Sequence, residues 1–240
     1  MNLRLPSWIS RIDTRMLLVF LILAPSLVVF GHIASEVMEG ETVALDRWIL
    51  LHLREATDPS VPIGPEWLRE AMVDFTALGG GPVLTMVTIF AAGYLVAQRK
   101  VALAVFLASS IAAGAIVNAL LKFGFVRERP DAVPHLVEVS SASFPSGHAI
   151  NSAMVYLTLA ALLVSAERSW RVRIFLMAAA ILLTLIVGFS RMYLGVHWPT
   201  DVFAGWSVGA AWAVACALVA QILQKRRAIE GAETVPVLPA

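Results

Sequence analysis

Cysteine is nearly absent from this 240-residue chain, which carries Cys216 and no other. A lone cysteine forms no internal disulfide, and in an apolar stretch it reads as a packing residue with no message about redox compartment. Charge is scarce as well. Only 15% of the residues are Asp, Glu, Lys or Arg and the net charge is +1, so no nucleic-acid partner is expected, and no long basic run suggests one. No compact carboxylate or cysteine cluster has metal-ligand spacing, so neither a metal nor another cofactor is expected. Repeats, low-complexity tracts and domain linkers are also missing. One domain over residues 1–240 is the economical reading.

What fills the chain instead is apolar: 59% hydrophobic residues and a mean hydropathy of +0.79, far above a soluble domain. Crossing a bilayer takes about 20 apolar residues. Runs near that length occupy 16–35, 81–97, 101–121, 148–166, 174–189 and 202–223. The expected fold is therefore all-α and polytopic, with six transmembrane helices. The run from Gly81 is short, and the one ending at Phe189 needs Arg191 to snorkel.

Short cytoplasmic connections retain lysine and arginine. Basic residues gather at Arg4, Arg11 and Arg15, at Arg99 and Lys100, at Arg168, Arg171 and Arg173, and at Lys225, Arg226 and Arg227. Six spans place all four groups on one side, which predicts cytoplasmic termini. The opposite side, periplasmic or exterior for a cell-membrane protein, receives an acidic first connection that includes Glu36, Asp46, Glu55, Asp58 and Asp74.

The first run follows basic residues and resembles a secretory signal, but Pro25 interrupts it and no small-x-small site follows Phe30, so an uncleaved anchor is expected. In the connection behind it, Leu45, Trp48, Ile49 and Leu53 recur at helical spacing. Pro59, Pro62 and Pro65 then break the chain before Trp67, Leu68, Ala71, Met72 and Phe75 resume the pattern. Two short amphipathic helices are predicted, either lying at the membrane surface or capping the bundle. The glycines 79–81 read as a loop into the second span. The tail 228–240 reads as a mobile end.

Three polar clusters interrupt the apolar chain. The first is Lys122-x6-Arg129-Pro130, a point charge and a planar fork that both suit phosphate oxygens; taken alone it also fits basic residues snorkelling at a boundary, the reading given to Arg127. The second is Pro145-Ser146-Gly147-His148 at the start of the fourth apolar run. A helix start offers free N–H groups and partial positive charge to an anion, although Ser146 could equally be an ordinary cap and His148 a boundary residue. The third is Ser190-Arg191-x5-His197-x3-Asp201. Pro199 suits a first helical turn, which lets Asp201 reach back to one nitrogen of His197 and activate the other. A cap beside a surface histidine is the bland alternative. Three such clusters, in this order on one membrane face, are hard to obtain by chance. His135, between the first two, reads as a loop residue.

At every defining position these motifs resemble those of the type 2 phosphatidic acid phosphatase family, over residues 122–201 by motif and most of the chain by its six-span layout. The resemblance implies a metal-independent membrane lipid phosphatase. His197 would attack phosphorus and form a phosphohistidine, Asp201 would orient and activate it, and His148 would protonate the leaving oxygen. Lys122, Arg129, Arg191, Ser146 and the Gly147 N–H would bind the phosphate oxygens. The implied partners are lipid phosphates such as phosphatidic acid, phosphatidylglycerol phosphate or undecaprenyl pyrophosphate, together with the surrounding membrane lipids. A lipid-phosphate phosphotransferase using the same intermediate is the alternative. A six-helix anion transporter or channel ranks lower, because its charges would be spread along the spans.

Overall fold

The structure is a computed structural model, and it describes residues 14–139, 141–167 and 169–230. Arg4, Arg11, Arg168 and the tail beyond Glu230 lie outside the described residues. Within them the chain is all-helical: α1 (Thr14–Glu39), α2 (Val43–His52), α3 (Glu66–Ala77), α4 (Gly81–Ala97), α5 (Val101–Gly124), α6 (Gly147–Ala166), α7 (Trp170–Tyr193) and α8 (Pro199–Lys225).

Each apolar run became a helix, and the two short amphipathic helices formed in the first connection. Pro25 lies inside α1 without ending it; a proline costs a membrane helix less, because neighbouring groups re-satisfy the freed carbonyl. Among the described residues, five helices are long and apolar enough to cross a membrane unaided. α4, with 17 residues, falls short alone; taken together with α3, from which it is bent by 54°, it makes a sixth candidate span by length and composition. The lipid-facing surfaces carry exposed Phe20, Ile89, Phe90, Val105, Ile116, Leu120, Phe175 and Leu182. A hydrophobic surface of this extent is a liability in water and a requirement in a bilayer.

α6 lies at the centre, packed on α8, α7, α5 and α4, while α1 packs on α8. Gly205 and Gly209, four residues apart on α8, make the closest of these contacts possible. A Cβ on Gly205 would stand 2.8 Å from Ala149 Cβ and 2.9 Å from Ser146 O, and one on Gly209 would overlap Ala153. Small residues at this spacing let membrane helices approach backbone to backbone. The start of α6 is thereby set against the start of α8.

The ends of the bundle differ in chemistry. Arg173 donates to Val164 O across the α6–α7 connection, and Glu230 accepts from the N–H groups of Ala102 and Leu103 at the start of α5. These contacts gather Arg99, Lys100, Arg171, Arg173 and Lys225 towards one end. The three polar clusters occupy the other.

Candidate active site

The C-terminal ends of α5 and α7 and the N-terminal ends of α6 and α8 meet around a cavity of about 380 Å³. Its wall includes Lys122 and Arg129 from the first cluster, Gly147 and His148 from the second, and Arg191 and His197 from the third. Ser146 and Asp201 sit beneath that wall, both fully buried.

His197 occupies the turn between α7 and α8 and is 2% exposed. Its Nδ1 stands 3.4 Å from Asp201 Oδ2, and its Nε2 stands 3.4 Å from a terminal guanidinium nitrogen of Arg129. The imidazole therefore turns one nitrogen to the carboxylate and the other towards the cations. Burial lowers its pKa from 6.5 to about 4; Asp201 opposes that shift, while Arg191 and Arg129 reinforce it. A neutral imidazole, with a free lone pair, is the form that results.

Asp201 is held on several sides. Oδ2 accepts from Ser143 Oγ at 2.5 Å and from the Trp198 N–H at 2.9 Å, closing the first turn of α8, and Oδ1 accepts from Arg127 at 2.6 Å. Pro199 is the first residue of that helix, where its missing N–H costs nothing.

The three cations are positioned by neutral groups. Lys122 Nζ donates to Ala142 O at 2.9 Å and approaches Ser141 Oγ at 3.3 Å. Arg129 donates to Ser141 O at 2.9 Å and to Val196 O at 2.5 Å. Burial draws this guanidinium below its ordinary value, and Asp201 offsets part of the effect. Arg191 donates to Thr76 Oγ1 on α3 at 2.8 Å, while its Nε is buried without a partner among the described residues. Donors held this way by neutral acceptors keep their charge for an incoming anion. Gly147 makes the approach possible, since a Cβ there would stand 3.0 Å from Lys122 Cε.

Ser146 is the N-cap of α6 by position, yet its side chain makes no capping hydrogen bond and its Oγ has no partner among the described residues. Its N–H donates instead to Asp201 O at 3.0 Å, joining the second cluster to the third. His135 lies outside this cavity and bonds Pro130 O at 2.9 Å.

One expectation is overturned. Arg127 does not snorkel to solvent: it is 12% exposed and forms ion pairs with two fully buried carboxylates, Asp46 at 2.8 Å and Asp201 at 2.6 Å. Asp46, grouped by sequence with the acidic first connection, is part of the interior.

Sequence reasoning also missed Thr76, Asn118, Glu138, Ser141 and Asn151, all of which line the cavity. Asn118 donates to Asn151 at 3.1 Å. Helical periodicity holds the signal for this pair, because Asn118 lies four residues before Lys122 and Asn151 three after His148, on shared faces. Among the described residues no group of three or more His, Cys, Asp or Glu could hold a metal ion.

The family model described as the PAP2 superfamily matches residues 103–225, just over half of the chain and every element that lines the cavity apart from α3 and the start of α4. The chain belongs to the PAP2 superfamily. Its PAP2 relatives include a phosphatidylglycerophosphatase B of Bacillus subtilis, 37% identical over 154 residues, which are 62% of this chain and 74% of that protein. An undecaprenyl-diphosphatase of Sulfolobus acidocaldarius is 41% identical over 68 residues, 28% of this chain and 29% of that protein. The crystal structure of a transmembrane PAP2 type phosphatidylglycerolphosphate phosphatase from Bacillus subtilis superimposes with a TM-score of 0.67 at 27% identity, over 88% of this chain and 98% of that one. LpxE of Aquifex aeolicus superimposes with a TM-score of 0.53 at 26% identity, over 75% and 94%. As a PAP2 protein with this arrangement of spans, the chain is an integral membrane phosphatase of the hydrolase class.

Proposed function

We propose that this protein hydrolyses the phosphomonoester or pyrophosphate head group of a membrane lipid, through a phosphohistidine, at the outer face of the membrane. The observation that carries the reading is the meeting of His148 and His197 with Lys122, Arg129 and Arg191 around one cavity at the end of the bundle away from the basic connections. Names among its relatives supply the substrate class: phosphatidylglycerol phosphate and undecaprenyl diphosphate are both lipids with terminal phosphoryl groups. The exposed apolar faces of α2 and α3, with Trp48 and Trp67, suit a head group presented at the interface.

The proposed steps use the groups that meet at the cavity. The phosphoryl oxygens are held by the three cations, the Gly147 N–H and the Ser146 hydroxyl. His197 Nε2 attacks phosphorus while Asp201 stabilises the charge that develops on the ring. A P–N bond forms, the bond to the lipid oxygen breaks, and His148 gives that oxygen a proton. His148, now neutral, takes a proton from water as the water attacks phosphorus. The P–N bond breaks and inorganic phosphate leaves. Every group used belongs to the protein, so activity should survive EDTA. We assign these roles to a single membrane domain over residues 1–240, with both termini cytoplasmic.

The test is phosphate release by the purified protein in detergent with EDTA. Phosphatidic acid, phosphatidylglycerol phosphate, undecaprenyl pyrophosphate and glucose 6-phosphate are compared, with His197→Ala as control. Release from a lipid, lost by at least about 10³-fold in the variant, supports the reading. A soluble sugar phosphate preferred over every lipid overturns the substrate class, and transfer to an added alcohol without phosphate release would make the protein a phosphotransferase.

A further inference from the structure

The carboxylate of Asp201 has two oxygens with different surroundings. Oδ2 serves Ser143, Trp198 N and His197. Oδ1 has one partner among the described residues, Arg127, so the rotation of the carboxylate depends on where that arginine is held. Arg127 is a planar fork, and fixing one terminal nitrogen fixes the other. Its first terminal nitrogen donates to Asp201 and, at 2.9 Å, to Thr200 Oγ1; its second donates to Asp46 at 2.8 Å and to Thr42 Oγ1 at 2.9 Å. The guanidinium also lies 5.5 Å from the Trp198 ring. Asp46 in turn accepts from Thr200 N at 2.9 Å and Thr200 Oγ1 at 2.6 Å, capping the first turn of α8 from a separate helix.

We propose that Arg127 and Asp46 are positioning residues for the reaction: they clamp Asp201, and through it His197, to α2, which makes that short helix at the membrane surface part of the catalytic machinery. The rest of the α2 surface exposes Leu45, Trp48 and Leu51, so one ten-residue helix turns apolar side chains to the lipid and holds the nucleophile's partner with its buried face. The clamp also balances charge. Two fully buried carboxylates share one guanidinium, and removing it would leave both uncompensated. The proposal rests on the roles given above to His197 and Asp201.

The charged and titratable groups around His197 are Asp201 on α8, Arg191 on α7, Arg129 in the loop after α5, and Lys122, His148 and the Glu138 carboxylate elsewhere on the cavity wall. Arg127 and Asp46 lie behind Asp201. Removing the Arg127 charge leaves Asp201 freer to hold a proton on His197, which moves the acid limb of kcat/KM to higher pH. Removing the Asp46 charge acts in the opposite direction.

The experiment uses the full-length protein in detergent and compares wild type, Arg127→Met, Arg127→Lys, Asp46→Asn and His197→Ala. It measures kcat, KM and pH profile on one lipid phosphate, so that the substrate's own ionisation cancels, and inhibition by inorganic phosphate as a probe of the cavity. Arg127→Met should lower kcat about 10²-fold, the scale of a misplaced catalytic group, while KM and phosphate inhibition stay at wild-type values. The acid limbs of Arg127→Met and Asp46→Asn should move apart. Arg127→Lys should return the limb towards wild type but not kcat, because a point charge cannot span both carboxylates. Wild-type kcat and pH profile in Asp46→Asn and the arginine variants overturn the clamp. So does a joint collapse of kcat, KM and phosphate inhibition, which marks a purely structural pair. Should Arg127→Met fail to fold, the near-isosteric Asp46→Asn decides by the same criteria. Activity retained in His197→Ala would instead sink the underlying catalytic reading, whatever the clamp variants do.

Discussion

A buried hydroxyl without a hydrogen-bond partner costs about 1–3 kcal/mol relative to one that is satisfied, and Ser146 Oγ is such a group among the described residues, next in the chain to Gly147 on the wall of a cavity ringed by cations. Its position at the start of α6 would ordinarily make it a cap, yet no capping bond forms. A donor left free beneath an anion site is preorganised for the anion. Ser146→Ala should therefore raise the inhibition constant for inorganic phosphate and raise KM by about tenfold, the scale of one hydrogen bond to a charged group, without lowering the melting temperature in detergent. A fall in melting temperature with unchanged phosphate inhibition would give the serine a packing role instead. His197 follows the same logic at the other wall. Its burial favours the neutral imidazole, the form that the proposed attack on phosphorus requires, through the same desolvation that makes the site costly to build.

At the scale of elements, the break between α3 and α4 matters most for the site. Thr76 at the end of α3 holds Arg191, Tyr156 on α6 donates to Leu78 O at 2.8 Å, and Gly79 lies against His148. A Cβ on Gly79 would stand 3.2 Å from His148 Cδ2 and would overlap Val187. Gly79→Ala is expected to displace the His148 ring and lower kcat by about 10², with phosphate inhibition nearly unchanged; kcat at the wild-type level would show that the break can yield without moving the histidine. The run of glycines gave away a loop but not this contact, because periodicity reports which face of a helix is apolar and says nothing of what packs on a glycine. Spans were legible for the opposite reason. The bilayer imposes a length, which five of the apolar runs meet unaided; for 81–97 the flanking Gly79, Gly80 and Gln98 to Lys100 delimited the helix to the residue but not a span, which needs α3 as well. The residues around the cavity were legible where chemistry sits at a helix end, as with His148 and His197. Arg127 and Asp46 were not, since 81 residues separate them and a charged pair buried between distant segments leaves no local pattern.

For the whole molecule, the distribution of charge sets how the site meets its substrate. Arg99, Lys100, Arg171, Arg173, Lys225, Arg226 and Arg227 fall at the connections remote from the cavity, and short basic connections stay in the cytoplasm. Consistency demands that α3 and α4 together cross the membrane: with five crossings, α2, whose Asp46 bonds Thr200 at the start of α8 on the cavity side, would share a side with the basic residues after α4. The bent pair is therefore the element on which the orientation of the catalytic site turns. The single cysteine makes this testable, because Cys216 is 7% exposed, in the middle of α8, and should give little background labelling. In intact cells a membrane-impermeant maleimide should modify Asp58→Cys, in the exposed connection between α2 and α3, and should leave Arg99→Cys and Arg226→Cys unmodified until the membrane is permeabilised. Labelling of Arg99→Cys from outside would mean that the α3–α4 pair enters and leaves on one face. Labelling of Arg226→Cys but not Asp58→Cys would turn the whole bundle over, presenting the phosphate site to lipids of the inner leaflet.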